Sequence, residues 1–198
     1  VHSPLVYLIP GVTDGVVISA NNSNAMVVLN GLGSWDADDD PLSYAWSDSV
    51  LALSSASGAV ISNRCNLGIH EFRLVVSDGQ ASGTANLAVK VISPAAAVAE
   101  LSRFLNDSTL SQIRKRPLLA TLDAAIASFS RGDFTPALNQ LAAFQNKLRA
   151  QVLPEDPALA DSLAQAAQRI IEVWTTTPHA ADPKTALRIF VERPHKMR

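Results

Sequence analysis

The sequence predicts an all-β antiparallel sandwich followed by a small all-α antiparallel bundle, and three observations carry that reading. Before Ser93, apolar residues recur with period two in short β-branched runs separated by Gly, Asn, Asp and Pro. After Pro94 they recur three to four residues apart, the period of a helix. Composition shifts at the same point: residues 1–93 carry three basic side chains against eight acidic ones, a net of −5, and residues 94–198 carry thirteen against ten, a net of +3. The 198 residues therefore read as two domains, 1–93 and 94–176, followed by a basic tail over 177–198. With 47% hydrophobic and 17% charged residues, both halves have the means to build cores.

The strands follow in order. Leu5–Ile9, Gly15–Ser19 and Ala25–Asn30 are separated by Pro10-Gly11, Asp14-Gly15 and Asn21-Asn22-Ser23-Asn24, residues that suit turns because Gly and Asn tolerate positive φ and Pro fixes it. Ser43–Ser47 alternates, placing Tyr44 and Trp46 on one face with Trp46 as the core plug. Ala59–Ser62 is a short strand. Phe72, Leu74 and Val76 face one way in the next strand, and Leu87, Val89 and Val91 repeat the alternation in the last. Seven strands at this spacing suit two packed antiparallel sheets.

Ser93 is placed to cap a helix that begins at Pro94, with Val98, Leu101, Phe104 and Leu105 as its stripe. Pro117 is expected to open a second helix through Leu118, Leu122, Ala125 and Phe129. Ser130-Arg-Gly-Asp133 turns the chain into a third carrying Phe134, Leu138, Leu141, Phe144 and Leu148. Asp156 and Pro157 start a fourth, with Leu159, Leu163, Ala167, Ile170 and Trp174 on its inner face. Thr185–Val191 reads as a helical turn or two, or as a strand.

Two segments carry a resemblance. Leu29-Asn-Gly-Leu-Gly-Ser-Trp-Asp-Ala-Asp-Asp-Asp-Pro-Leu-Ser-Tyr-Ala-Trp46 and His70-Glu-Phe-Arg-Leu-Val-Val-Ser-Asp-Gly79 resemble the PKD family of Ig-like β-sandwich domains. Leu118-Leu-Ala-Thr-Leu-Asp-Ala-Ala-Ile-Ala-Ser-Phe-Ser-Arg-Gly-Asp133, Ala137–Phe144 and Ala160–Ile171 resemble the FIMAH helical domain of bacterial secreted and surface proteins. The first resemblance implies extracellular spacer and adhesion modules, some of which bind Ca²⁺ at this end of the fold. The second brings no catalytic residues. Two departures matter: Trp46-Ser-Asp-Ser-Val50 stands where PKD domains have Trp-Asp-Phe-Gly-Asp-Gly, and Asp39 stands at a position that is usually Gly.

The acidic loop is the constellation with chemistry in it. Asp36, Asp38, Asp39 and Asp40 fall within five residues, and Asp78 ends a strand expected to lie beside them. Crowded carboxylates suit Ca²⁺, which takes six to eight oxygens, so Asp36, Asp38, Asp40 and Asp78 are the expected ligands. The competing reading is a solvated turn in which Asp36 and Asp38 bond their own backbone amides. Arg131-Gly132-Asp133 spells an integrin-binding tripeptide, but a helix C-terminus needs that Gly and the next helix that Asp. Arg114-Lys115-Arg116 reads as a solvated helix end.

Other chemistry is disfavoured. His70 opens a strand and is expected to be exposed, and His2, His179 and His195 lack an orienting acid beside a Ser or Cys. Cys65, the sole cysteine, is placed in a loop without a Cys–His motif and is expected to be inert; no intrachain disulfide exists. A net charge of −2 does not advertise a nucleic-acid surface. No apolar run is long enough to span a membrane. The chain opens without Met or a leader, and so reads as a mature or excised part of a longer precursor.

The expectation is a non-catalytic structural or adhesion module of a bacterial secreted or cell-surface protein, spacing or self-assembling through protein–protein contacts. One rival is an accessory carbohydrate- or protein-binding region of an extracellular hydrolase, for which Trp35 is the candidate surface aromatic. Another is a filament subunit in which the uncharged apolar strand Leu5–Ile9 adds to a neighbour's sheet edge; covering by the chain's own sheet is the alternative.

Overall fold

Period-two alternation builds two sheets from the residues before Ser93. The computed structural model describes residues 15–36, 40–48, 56–175 and 187–188. The strands are β1 (Gly15–Ile18), β2 (Asn24–Asn30), β3 (Ser43–Asp48), β4 (Ala56–Ser57), β5 (Val60–Asn66), β6 (Gly68–Ser77) and β7 (Ser82–Ile92). The helices are α1 (Pro94–Asp107), α2 (Gln112–Arg131), α3 (Phe134–Gln151) and α4 (Pro157–Thr175), and β8 (Leu187–Arg188) comes last. The expected strand Leu5–Ile9 lies outside the described residues.

The antiparallel sandwich is corrected. One sheet has the order β1-β7-β6-β3-β4 and the other β5-β2-β8, and each contains a parallel pair, β1 with β7 and β2 with β8. Without the two-residue strands β4 and β8, a mixed sheet of four strands faces a sheet of two, which does not close a sandwich. Alternation specifies which residues face inward, but not whether a strand's partner runs with it or against it, so the parallel β1–β7 pair was not to be read from the pattern.

The helices pack on the face of β1 turned away from the smaller sheet. β1 is buried at every position, and its faces serve different cores. Val17 joins Val27, Leu29, Trp46, Phe72, Leu74 and Val89 between the sheets. Val16 and Ile18, with Ile92 of β7, instead join Val98, Leu101, Leu118, Leu122, Phe129 and Phe144 of the helices. Trp46 is fully buried, as expected, and its Nε1 donates to the Gly58 carbonyl at 2.9 Å. Just past β1, buried Ser19 donates its amide to the Ile92 carbonyl at 2.8 Å, and its hydroxyl donates to the Asn24 carbonyl at 2.8 Å.

Each helix packs on its sequence neighbours, and α1 also packs on α4. Ser93 caps α1 by accepting from the Ala96 amide at 3.2 Å, and Asp156 caps α4 by accepting from the Leu159 amide at 3.0 Å, both as the sequence predicts. Pro117 does not open α2: the helix starts five residues earlier, at Gln112, with Pro117 inside it. Gly132 at φ 82° ends α2 in the left-handed conformation. Trp174 stacks on Phe129 at 5.3 Å and lies 5.5 Å from Phe134, at the end of the bundle where the Asn22 side-chain amide donates to the Phe129 carbonyl at 3.0 Å.

The basic run is also corrected. Lys115 is buried, and its Nζ donates to the carbonyls of Asn106 at 2.6 Å and Ser108 at 2.7 Å, where α1 ends with unpaired carbonyls and the negative end of its dipole. Arg114 pairs with Glu155 and donates to the Gln151 carbonyl at 2.7 Å.

Candidate functional site

β3 and β6 pair antiparallel from Ser43↔Ser77 to Asp48↔Phe72. That register brings the chain entering β3 beside the β6–β7 turn, and the Ser43 hydroxyl donates to the Ser77 carbonyl at 2.8 Å. Three of the expected ligands meet there. Carboxylate oxygens of Asp36, Asp40 and Asp78 lie within 4.8 Å of one another, with Asp36 buried, Asp78 half-buried and Asp40 exposed. Asp38 lies outside the described residues, as does Asp39.

The turn itself holds Asp78. Its Oδ1 accepts from the amides of Gln80 at 2.8 Å and Ala81 at 2.7 Å, and Gly79 supplies φ 91°. On the other side, the Leu32 amide donates to Asn30 Oδ1 at 2.8 Å and the Ser34 amide to the Gly31 carbonyl at 2.9 Å, turning the chain from β2 toward Asp36. Asp78, which the solvated-turn reading did not include, bonds its own turn, and the three carboxylates converge. Two oxygens on one Ca²⁺ at about 2.4 Å stand at most about 4.8 Å apart, so the spacing fits a shared hard cation whose remaining ligands would be carbonyls or water. Leu32 and Trp35, 59% and 51% exposed, stand in the same loop.

The other end of the same two strands holds a group the sequence reading misplaced. His70 is 3% exposed, not on the surface. Its Nδ1 lies 3.3 Å from Asp48 Oδ2 and its Nε2 lies 2.9 Å from the Asn66 carbonyl. A carbonyl only accepts, so Nε2 carries a hydrogen, and the contact at Nδ1 then needs a second proton on the ring or on the carboxylate. The alternation contained the signal: His70 has the parity of Phe72, Leu74 and Val76, and Asp48 that of Tyr44 and Trp46. Cys65 is in β5 rather than a loop and is fully buried. Burial, and then the negative charge of Asp48, push its thiol up from 9.0 to about 11, so it stays a thiol at neutral pH.

Arg131 and Asp133 are tied to each other, Nε donating to Oδ2 at 2.9 Å, and Asp133 makes no side-chain cap bond to α3. An open cleft of about 530 Å³ lies where α2 begins, bordered by Ile113, Arg114, Pro117, Pro154 and Glu155. No helix among the described residues is long and apolar enough to cross a membrane. His2, His179 and His195 lie outside the described residues.

No family model matches the chain, and neither the curated proteins nor the solved structures contain a match to it.

Proposed function

We propose that the chain is a non-catalytic structural and adhesion module of a bacterial secreted or cell-surface protein, which associates with protein partners or with itself and binds Ca²⁺ at its acidic end. The convergence of Asp36, Asp40 and Asp78 beside exposed Leu32 and Trp35 carries the reading. Negative charge crowded at a rim is relieved by a divalent cation, and exposed apolar side chains next to it favour contact with another surface. The PKD-like pattern over 29–46 and 70–79 and the FIMAH-like pattern of the helices support the same assignment. The continuous packing of Val16, Ile18 and Ile92 with the helices supports a spacer, since it couples the two halves through apolar contact. Trp35 also favours a second reading, the accessory carbohydrate-binding region of an extracellular hydrolase, because an exposed ring can stack on a sugar face.

Sedimentation velocity on the purified chain across a concentration series, with Ca²⁺ and with chelator, tests the assignment. Concentration-dependent association is expected. A chain that stays monomeric throughout and retains no partner or polysaccharide refutes it.

A further inference from the structure

We infer that the open cleft at the start of α2 is a docking site for the acidic rim of a second copy of this chain. The inference rests on the self-association proposed above and supplies its two faces. Each face lies at the end of its half that is away from the junction. β7 runs from the turn that holds Asp78 to Ile92, where β1 and the first turns of α1 pack together. α2 reaches that junction at Phe129, whose carbonyl accepts from the Asn22 side chain at 3.0 Å. Ile113 stands sixteen residues back along the same helix, about 24 Å away. The rim and the cleft of one molecule thus lie on either side of the junction.

The two faces complement each other in apolar surface and in charge. The cleft, about 530 Å³, is bordered by apolar Ile113, Pro117, Ala150 and Pro154, and Ile113 is 83% exposed. On the rim, Leu32 and Trp35 are exposed. Apolar area at both places leaves water when each face covers the other. Charge sets the pairing. Residues 29–42 and 77–82 hold five acidic side chains and no basic one, which is the whole net of −5 in residues 1–93. Residues 106–117 and 146–157, around the cleft, hold five basic side chains against three acidic ones, a net of +2. Of those three acids, Glu155 is tied to Arg114, Asp156 caps α4 and Asp107 ends α1. Exposed Arg116 has no ion pair among the described residues, and exposed Arg149 donates to the Asn146 side chain at 3.3 Å. Like faces repel, so rim meets cleft rather than rim meeting rim. Such a contact is heterologous: each assembly keeps one free rim and one free cleft, and copies add in line unless the rotation closes a ring.

Mixing two variants of the full chain decides it. Trp35→Ala removes the rim's ring and keeps the cleft. Ile113→Asp puts a charge of the rim's own sign into the cleft and keeps the rim. Both positions are exposed, and circular dichroism checks that each variant is folded. Arg116→Glu, also at an exposed position, serves as a second cleft variant. Sedimentation velocity is expected to show a wild type that associates and each variant alone weakened by on the order of tenfold or more. An equimolar mixture of a rim variant and a cleft variant should then form one-to-one dimers and nothing larger, because one intact rim faces one intact cleft. Variants that associate as wild type does, or a mixture that stays monomeric, overturn the inference and leave self-association to another surface. Loss on changing one face alone marks a like-to-like contact and overturns it as well. A wild-type chain that is monomeric at every concentration overturns the self-association too.

Discussion

β3 and β6 carry carboxylates at both ends, and the two ends treat them oppositely. At one end Asp48 is enclosed, its side chain fully buried, and the chain itself supplies the partner in His70 at 3.3 Å. At the other, Asp36, Asp40 and Asp78 rise from buried to exposed and converge on one another. Removing a carboxylate from water is costly unless a hydrogen-bonded partner comes with it, so the interior acid needs an internal counter-group. At the rim, solvent can supply the counter-ion. Asp48 therefore takes its partner from the chain, whereas exposed Asp40 and half-buried Asp78 stand where the medium can supply one.

Breaking the enclosed end should have the largest effect. Asp48→Ala leaves the His70 ring without its partner at Nδ1, and urea unfolding is expected to show a loss of about 3 kcal/mol. An unchanged urea midpoint would mean that the buried pair contributes nothing to holding β3 against β6.

The thiol beside that pair sharpens the point. Its folded value of about 11 lies above the ordinary 9.0, so its contribution is fully present below pH 9.0 and is lost as pH rises toward 11. The stability difference between wild type and Cys65→Ala should be flat to about pH 9 and then shrink by on the order of 2 kcal/mol by pH 11. Taking the difference between the two proteins cancels the other groups that titrate there. A flat difference across that window would place Cys65 in contact with water.

The rim should respond to ions rather than to protons. For a Kd near 1 mM, in the range of extracellular calcium modules, 10 mM Ca²⁺ stabilises by about 1.4 kcal/mol. Thermal unfolding should show an upward shift in wild type that Asp40→Asn largely removes, since exposed Asp40 can lose its charge while the turn bonds of Asp78 remain. Equal shifts in the two proteins, or none in wild type, would leave the cluster as a solvated turn.

The two ends also differ in how legible they were. The acidic loop is local: four aspartates in five residues and a strand ending in Asp-Gly announce themselves in the sequence, and only the meeting of Asp78 with Asp36 and Asp40 required the fold. The His70–Asp48 contact depends on the β3–β6 register, in which Asp48 faces Phe72 and His70 stands two residues along. Parity alone put both on the inner face, but treating His70 as the first residue of its strand hid this. The β1–β7 pair was less legible still, because partners more than seventy residues apart leave no mark in local alternation. Helix caps at Ser93 and Asp156 were legible because capping is local chemistry, whereas the start of α2 at Gln112 was obscured by Pro117, which suits a helix's first turn and here lies inside the helix.

The four-residue strand β1 has a difficulty of its own, since Val16, Val17 and Ile18 are apolar on both faces and both faces are buried. A slip of one residue would present valine to each core much as before, and the hydrophobic pattern that normally forbids such an error is silent here. The discriminating residue is Ser19. In the observed register its amide and hydroxyl meet the carbonyls of Ile92 and Asn24. One step away, both groups would leave those carbonyls, and a buried amide that loses its acceptor is costly. In the strand that joins both halves of the molecule, Ser19 thus carries polar contacts specific to the alignment, and the valines around it supply adhesion without addressing.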